Sequence, residues 1–598
     1  MFNVSLEDRL SKASEAVVVH HVDKKLKTAV PQLFQDAFDI CPEKWDGMEQ
    51  GYPYYVVDSN YKTQNCTFAA TDAQHLLTVV TATLSPFLNN NTFTDTIVSD
   101  IKYLLKRFYA YYPRVRLILG LIPRNADKAE NVSYSAIKDN FLDKIKAANI
   151  QLNMLTVDPI EKSLVNFDTG EILGGAWNNL ISKVNTKYTF VARQLIDIDD
   201  NVKFHRLIRV VDYLGGSQSA ASASPVVVGS AHRNQTGHWR MDCYQTVMRN
   251  YQYRLVEGYD LSYNSCVYCD YLGGPFMAQT ALLTLNPITS SLSGEIAFVD
   301  FFESLKQTAS GLVLSCPDSM TTSFSLSRVE SIQRKEWLPF MKKWDIQRII
   351  PPVYTTPLMG LDCSGFSGKG SPCRKTKGMS THLCCLKELS DAVAFFQNTC
   401  DTNHIGCEVE AGTTIGAIKL QGTLPWELDG DFDYVAAGGN HSALRKLSKV
   451  FRAAGYQLDT ERKSSCPPLT DRNNVNCGYF ALRTLHWRIE LWGVSATASD
   501  HYAKPVNSKM PPPRNPDTKV RIDGSWYPTY SNPVVSPRNQ YGDDLFEHIE
   551  HWITLGYGTG WRPYVTGSFL TCSKPGHHSC LNPNYLPTGN LQFLDVWI

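Results

Sequence analysis

Three aspartates at alternate positions, Asp429, Asp431 and Asp433, follow a Pro-Trp pair in the second half of the chain. Alternate residues on a β-strand point to the same face, so the carboxylates of Asp429 and Asp431 can converge on one divalent cation. Carboxylate oxygens suit Mg²⁺ and Mn²⁺. The alternatives are a solvated loop and a calcium loop, but an EF-hand-type loop needs a Glu at its twelfth position, which this stretch lacks. The spacing therefore favours a Mg²⁺ or Mn²⁺ site.

A Gly-Thr pair, Gly412 and Thr413, lies upstream of these acids, and residues 413–420 are predicted to form a short helix. The N-terminus of a helix offers free backbone N–H groups to a phosphate, and the Thr hydroxyl adds another polar group. A phosphate-binding helix followed by an acidic strand is typical of a nucleotidyltransferase-type site.

A third carboxylate is expected from a neighbouring strand. Residues 479–494 are rich in β-formers and alternate in polarity, which predicts one strand with His486, Arg488 and Glu490 on one face. Glu490 is the only acid in this segment, and its burial is costly without a cation. Pairing with an arginine is the alternative. Together with the aspartate pair, the pattern favours Glu490 as a metal ligand or general base.

Three motifs in this half resemble the LicD/fukutin family. They are GTTIGAIKLQGTLPWELDGDFD from Gly412 to Asp433, HWRIELWGV from His486 to Val494, and YGTGW from Tyr557 to Trp561. Their order and spacing make a chance match improbable. The resemblance implies a polymerase-β-like nucleotidyltransferase fold of the α+β type for the second half of the chain.

The family resemblance also implies a reaction and a set of residues. The expected reaction transfers a phospho-alcohol, such as ribitol 5-phosphate, from a CDP-linked donor to a glycan hydroxyl on a glycoprotein. The implied site has two metal-binding acids, a third catalytic carboxylate and three phosphate-binding residues: Asp429 and Asp431, then Glu490, then Gly412, Thr413 and Lys419.

Three positions depart from the family pattern, each with its charge type kept. Lys419 stands in place of Arg, and Glu427 and Glu490 stand in place of Asp. The change to Lys removes the bidentate geometry with which Arg binds phosphate. The role of Asp433, the remaining acid of the strand, stays open.

The first half of the chain alternates predicted strands and helices, with strands at 114–122, 150–157, 188–192 and 226–229. This alternation of strands and helices predicts an α/β fold with a mostly parallel sheet. Such a fold resembles a GT-A glycosyltransferase. Asp197, Asp199 and Asp200 follow a strand and could hold a metal there, or simply cap the next helix. Prolines near 351 mark a boundary, so we expect a GT-A-like stem domain at 1–350 and the catalytic domain at 351–598.

A Gly/Ser/Lys-rich loop at 363–385 contains four cysteines: Cys363, Cys373, Cys384 and Cys385. Four thiolates could bind Zn²⁺ tetrahedrally, and the basic loop would stabilise them. The family resemblance also implies a zinc-binding loop. Disulfides are the alternative, because Cys400 and Cys407 offer rival partners. We expect a structural zinc site.

Three other segments carry structural signals but no functional motif. Residues 442–454 and 543–554 are predicted to form helices. Residues 505–539 are Pro-rich and predicted to be irregular, and a loop this long could cover a substrate site.

The composition bears on location and partners. Lys plus Arg and Asp plus Glu number 58 each, so no net charge favours nucleic acid. No apolar run spans a membrane and no signal peptide is visible, which taken alone predicts a cytoplasmic protein. Six Asn-x-Ser/Thr sequons and sixteen cysteines instead favour the secretory lumen, with close pairs such as Cys266/Cys269 suited to disulfides. By family resemblance we expect a Golgi protein.

The sequence leaves two other functions open. One is a glycosyltransferase that uses Asp197 and Asp199. The other is a non-catalytic glycan-binding scaffold, although a scaffold has no reason to keep mutually repelling acids. A homo-oligomer is also left open.

Overall fold

The computed structural model of the protein describes the following parts of the chain. They are residues 43–45, 61–63, 73–84, 87–88, 92–93, 95–122, 134–146, 153–166, 171–193, 196–198, 201–215, 225–234, 236–259, 262–263, 266–308, 311–323, 329, 332–352, 361–364, 373, 381–424, 427, 429–436, 439–462, 478–494, 518–535, 537–538 and 546. The predicted helix at 543–554, the YGTGW motif and the acids Asp199 and Asp200 lie outside these residues, apart from Phe546.

Strands and helices alternate through the first half of the chain. The strands are β1 Glu43–Trp45, β2 Tyr61–Thr63, β3 Leu77–Leu84, β4 Phe87–Leu88, β5 Thr92–Phe93, β6 Arg116–Ile122, β7 Leu155–Pro159, β8 Val165–Asn166, β9 Glu171–Ile172, β10 Tyr188–Ala192, β11 Ile196–Asp197, β12 Val226–Arg233, β13 Trp239–Arg240, β14 Cys243–Arg249, β15 Gln252–Glu257, β16 Ser262–Tyr263, β17 Cys266–Cys269, β18 Tyr271–Leu272, β19 Phe276–Gln279, β20 Leu312–Ser323 and β21 Arg348–Ile350. The helices are α1 Ala73–Leu76, α2 Asp95–Tyr111, α3 Tyr134–Lys146, α4 Gly174–Ile181, α5 Phe204–Gly215, α6 Thr280–Leu285, α7 Gly294–Thr308 and α8 Arg334–Lys343.

A large sheet organises this half, with the order β16-β17-β20-β12-β19-β10-β3-β6-β7. Strands β7, β6, β3, β10, β12 and β20 share one direction, and β19 runs antiparallel between β10 and β12. Runs such as RLILGLI in β6 are apolar throughout because helices cover both faces of a parallel sheet. The mostly parallel α/β sheet predicted from the sequence is present.

A second, smaller sheet lies beyond residue 350. The elements of this second half are α9 Leu383–Thr402, β22 Cys407–Val409, α10 Ala411–Leu420, β23 Asp429–Val435, α11 Asn440–Lys446, α12 Ser448–Ala453, β24 Gln457–Arg462, β25 Tyr479–Arg483, β26 Arg488–Val494, β27 Thr518–Ile522 and β28 Ser525–Thr529. The sheet order is β22-β23-β26-β25-β24, and within it only β23 and β26 pair in parallel. The acidic strand β23 therefore lies inside the sheet.

The segment 479–494 forms a hairpin and not the single strand that its alternation predicts. The chain turns between β25 and β26, where the Thr484 backbone N–H donates to the Trp487 carbonyl at 3.0 Å. The Glu388 carboxylate of helix α9 accepts from the Thr484 hydroxyl at 2.5 Å and from the His486 backbone N–H at 2.9 Å. His486 thus belongs to the turn, so its predicted place on the strand face beside Glu490 is wrong.

The Pro-rich segment 505–539, predicted to be irregular, contains the β27–β28 hairpin. Its turn is Asp523-Gly524, with positive φ values of 46° and 89°, as two-residue hairpin turns require. The hairpin packs against the first half of the chain, because the Lys519 backbone N–H donates to the Gly237 carbonyl at 2.8 Å. The Asp-Gly pair between alternating residues was the sequence signal for this hairpin.

The apolar core continues across residue 350. One buried cluster contains residues of both halves of the chain, among them Val80, Phe276, Phe396 and Phe432. The predicted division at residue 350 therefore separates the two sheets but not the core, and it stays a prediction. None of the helices in the described residues is long and apolar enough to cross a membrane.

Candidate functional site

The parallel pairing of β23 with β26 brings the predicted acids together. Asp431 is the register partner of Glu490, and Asp429 is the partner of Arg488. Paired residues on neighbouring strands share a face, so these four side chains lie on one face of the sheet. On the other face, the ring centroid of Phe432 lies 4.9 Å from that of Phe396 in the core. The alternation of acids with buried aromatic residues explains why the acidic run forms a strand.

The N-terminus of helix α10 is fixed against the acidic strand. The Gly412 backbone N–H donates to Asp431 Oδ2 at 3.2 Å, and the Thr413 hydroxyl oxygen accepts from the Asp431 backbone N–H at 2.8 Å. A Cβ atom at position 412 would lie 2.6 Å from Glu427 Oε2 and 3.3 Å from Asp431 Oδ2. Only glycine allows so close an approach, and the positive end of the helix dipole favours negative charge there.

The carboxylates of Asp429 and Glu427 both repel the carboxylate of Asp431. Burial raises the pKa of Asp431 well above its ordinary value, and the nearby Asp429 and Glu427 carboxylates raise that pKa further. Burial also raises the pKa of Asp429, although Glu427 and Arg488 act in the opposite direction. A divalent cation would supply the missing positive charge. The oxygen donors therefore fit Mg²⁺ or Mn²⁺.

Arg488 forms an ion pair with Glu490, the alternative that the sequence had left open for that acid. The Glu490 carboxylate is buried, whereas Arg488 is about half exposed. The guanidinium therefore compensates the buried charge and also reaches solvent at the mouth of the site. The sequence signal was present, since Arg488 precedes Glu490 by two residues on one strand and so shares its face.

Asp433 belongs to a second, deeper group of acids with Glu408 and Glu410. Glu410 Oε2 accepts a hydrogen bond from the Tyr530 hydroxyl at 2.9 Å. Burial raises the pKa of Glu410 to about 7, and it also raises the pKa of Asp433, to which Glu410 and Glu408 add repulsion. Sequence reasoning missed Glu410, although the residue directly precedes helix α10. Asp433 is thus surrounded by carboxylates, of which Glu410 holds its proton more tightly than usual.

Lys419 lies further along helix α10 than Gly412 and Thr413. Lys419 lies in the last turn of α10, and the seven residues from Gly412 correspond to about 10 Å along a helix axis. Lys419 is buried and lines a cleft at the C-terminal end of α10. Gly412 and Thr413 contact Asp431 directly, and the predicted joint role of Gly412, Thr413 and Lys419 at one phosphate stays a prediction.

The four loop cysteines form two disulfides, Cys363–Cys384 and Cys373–Cys385. A sulfur in a disulfide is not a thiolate and does not ligate zinc, so the structure shows the disulfide alternative. Zinc stays a prediction for the reduced loop. In the described residues, the three metal-ligand atoms that gather within 4.8 Å are those of Cys373, Glu388 and His486, and the first of these is disulfide-bonded.

Among the other cysteines that the structure describes, the disulfide partners of Cys266 and Cys269 differ from the pairing that close spacing suggests. Cys266 bonds Cys316 and Cys269 bonds Cys243, while Cys400 bonds Cys407. The suggested Cys266–Cys269 pair is wrong, because residues three apart on a strand point to opposite faces.

Asp197, the described member of the acidic motif in the first half, is engaged in an ion pair. Its Oδ1 atom accepts from Arg107 Nε at 2.8 Å, and both side chains are buried. Strand β11, which carries Asp197, pairs with β20 in the large sheet. This environment stabilises the fold and leaves Asp197 poorly placed to bind a solvent-accessible metal.

No protein-family model and no curated protein matches the chain. Among solved structures, the chain is similar to 4-diphosphocytidyl-2C-methyl-D-erythritolsynthase from Anaerococcus prevotii DSM 20548, with 9% sequence identity and a TM-score of 0.23. The match covers 46% of this chain and 100% of that one. So low a TM-score carries no conclusion about this chain, and the LicD/fukutin resemblance rests on the sequence motifs alone.

Proposed function

We propose that the chain is a metal-dependent phosphotransferase of the LicD/fukutin type, with a polymerase-β-like second half. Its donor would be a CDP-linked phospho-alcohol such as CDP-ribitol, and its acceptor a glycan hydroxyl on a glycoprotein. The first half would serve as a GT-A-like stem. The buried Asp197–Arg107 pair disfavours the alternative in which the first half is the catalytic unit.

One observation carries the proposal. Asp429 and Asp431 share a sheet face with Glu490, and the Gly412 backbone N–H at a helix N-terminus donates to Asp431. Mg²⁺ is usually held in proteins by one or two carboxylates and completed by substrate phosphate oxygens. An aspartate pair beside the N-terminus of a helix offers that combination.

Each residue of the site has a task that follows from its position. A cation held by Asp429 and Asp431 would neutralise the charge of the donor diphosphate. The first turn of α10 orients phosphate oxygens by hydrogen bonding. Glu490 would accept the proton of the acceptor hydroxyl or complete the metal site, with Arg488 compensating its buried charge in the resting site.

The disulfides support a place in an oxidising compartment. The described residues contain five disulfides and no free cysteine. Disulfides persist in secretory compartments and are reduced in the cytosol. We therefore propose a lumenal enzyme, with the Golgi as the compartment implied by the family resemblance.

A thermal-shift panel tests the proposal. CDP with Mg²⁺ or Mn²⁺ should stabilise the protein more than the sum of the separate shifts, and a hundredfold excess of ligand over its Kd corresponds to about 2.7 kcal/mol of total stabilisation. The reason is that the cation lets the diphosphate approach the aspartates. The Asp431→Asn variant should lose this synergy. Strong stabilisation by UDP with none by CDP would contradict the cytidine donor, and no shift with any nucleotide would favour a scaffold.

A further inference from the structure

A tight turn joins strands β12 and β13 and carries one of the six Asn-x-Ser/Thr sequons, Asn234-Gln235-Thr236. The Asn234 backbone N–H donates to the His238 carbonyl at 3.1 Å, and the Gly237 backbone N–H donates to the Asn234 carbonyl at 3.0 Å. Gly237 has a φ of 83°, which glycine adopts without strain. The sequon therefore lies at the tip of a hairpin that backbone hydrogen bonds hold in place.

Three donors orient the side chain of Asn234. Its Oδ1 atom accepts from the Thr236 hydroxyl at 2.7 Å, from the Thr236 backbone N–H at 3.0 Å and from the His238 backbone N–H at 2.9 Å. A backbone N–H can only donate, so the amide atom that faces these groups is the oxygen, and Nδ2 points the other way. Such a bond from asparagine to the backbone two residues ahead stabilises the turn.

The Nδ2 atom of Asn234 is accessible. It makes no hydrogen bond with the described residues, and it is not one of the buried polar atoms of the protein. Thr236 beside it is exposed. A group attached to Nδ2 therefore extends into solvent and breaks none of the three hydrogen bonds that Oδ1 accepts.

One other sequon has its asparagine in the part of the chain that the structure describes, and its setting differs. Asn440 is the first residue of helix α11, and Ser442 follows it within that helix. Residues two apart in a helix do not face each other, so the Ser442 side chain lies on another face than the Asn440 amide. Acceptor asparagines belong to surface loops, which favours Asn234 over Asn440.

We propose that Asn234 is a site of N-linked glycosylation, an inference that rests on the lumenal location proposed above. The donor is an oligosaccharide joined through its anomeric carbon to a lipid diphosphate. The Asn234 Nδ2 atom forms a bond to that carbon, the bond between the carbon and the diphosphate oxygen breaks, and the lipid diphosphate and one amide proton are released. The product is a bulky, solvated glycan on the turn, for which the exposed side of the hairpin has room.

Site-specific mass spectrometry tests the proposal. The full chain is expressed in eukaryotic cells behind a cleavable secretory leader, so that its delivery to the lumen is assured. Peptide-N-glycosidase in heavy-oxygen water then converts each glycosylated asparagine to a labelled aspartate. The wild type and Thr236→Ser, which keeps the hydroxyl of the sequon, should carry the label at position 234. Thr236→Ala, which lacks that hydroxyl, should lose the label.

Two further variants serve as controls. Asn234→Asp keeps an oxygen for the three hydrogen bonds but has no amide nitrogen, so it should fold and migrate faster on a gel by one glycan. Asp431→Asn should carry the label at position 234 as the wild type does, so a failure of the proposed transfer reaction leaves this test intact.

An unlabelled Asn234 in secreted wild-type protein with its disulfides formed would overturn the proposal. A label that Thr236→Ala retains would do the same, because the modification would then not depend on the sequon.

Discussion

Replacing Glu410 with glutamine should change how stability depends on pH. Glu410 precedes helix α10, is buried, and accepts a hydrogen bond from the Tyr530 hydroxyl at 2.9 Å. Burial raises its pKa from 4.5 to about 7. Glutamine keeps an oxygen that can accept from Tyr530 but does not titrate. The substitution therefore removes the charge with little change in shape.

The size of the effect follows from the pKa shift. A folded-state pKa above the unfolded value means that the folded protein binds the proton more tightly. The resulting stability is fully present below about pH 4.5 and is lost as the pH rises to about 7. Each pKa unit corresponds to 1.36 kcal/mol, so the loss amounts to about 3 kcal/mol. Asp433 has a raised pKa and hydrogen-bonds Glu410, so it contributes in the same direction.

Urea unfolding at about pH 5 and about pH 8, in EDTA, measures this dependence. Between the two pH values the wild type should lose about 2.5 kcal/mol more stability than Glu410→Gln, because part of the total loss has already occurred at pH 5. The control is Glu161→Gln, an exposed acid in the first half, which should follow the wild type. Parallel pH dependence of wild type and Glu410→Gln would refute a buried, proton-binding Glu410.

Two further predictions concern the helix N-terminus and the cysteine loop. Gly412→Ala places a Cβ 2.6 Å from Glu427 Oε2, so transfer activity should fall by at least ~10-fold in a CDP-donor assay; full activity of this variant would contradict the close approach. Non-reducing mass spectrometry should find Cys363–Cys384 and Cys373–Cys385 without zinc, and about one Zn per chain with four free thiols would restore the zinc site.

Local patterns predicted much of the site. The alternation of Asp429, Asp431 and Asp433 predicted a strand with one acidic face, and the structure has strand β23 at Asp429–Val435. The Gly-Thr pair predicted a helix start next to it, and α10 begins at Ala411. These features depend on backbone periodicity and helix-end chemistry, which neighbouring residues determine.

Features that depend on distant residues were missed. Nothing near Glu410 in the sequence announces Tyr530, its hydrogen-bond partner 120 residues later. Likewise, Lys419 follows Gly412 by seven residues, and only the packing of α10 shows that its side chain lines a different cleft. Strand alternation identified the face of Glu490 but missed the turn before β26. Glu388 of helix α9, about a hundred residues earlier in the sequence, fixes that turn by hydrogen bonds.

Cysteine pairing was also beyond the sequence. Close spacing suggested Cys266 with Cys269, but the sheet places these sulfurs on opposite faces and beside partners from other strands. In the loop, the choice between zinc and disulfides depends on which sulfurs meet and in which redox state, and spacing specifies neither.

The most direct test of the proposed function is a transfer assay with CDP-ribitol and a glycan acceptor, comparing Asp431→Asn with Asp433→Asn. Asp431→Asn should reduce transfer by at least ~10²-fold, the scale expected when a main electrostatic stabiliser of the transferring phosphoryl group is lost. Removing one of several repelling carboxylates should leave the metal-free protein at least as stable as the wild type. Asp433→Asn should reduce transfer less, and Asp199→Asn in the first half should leave it unchanged. An inactive Asp199→Asn beside a fully active Asp431→Asn would show that the chemistry lies in the other half of the chain.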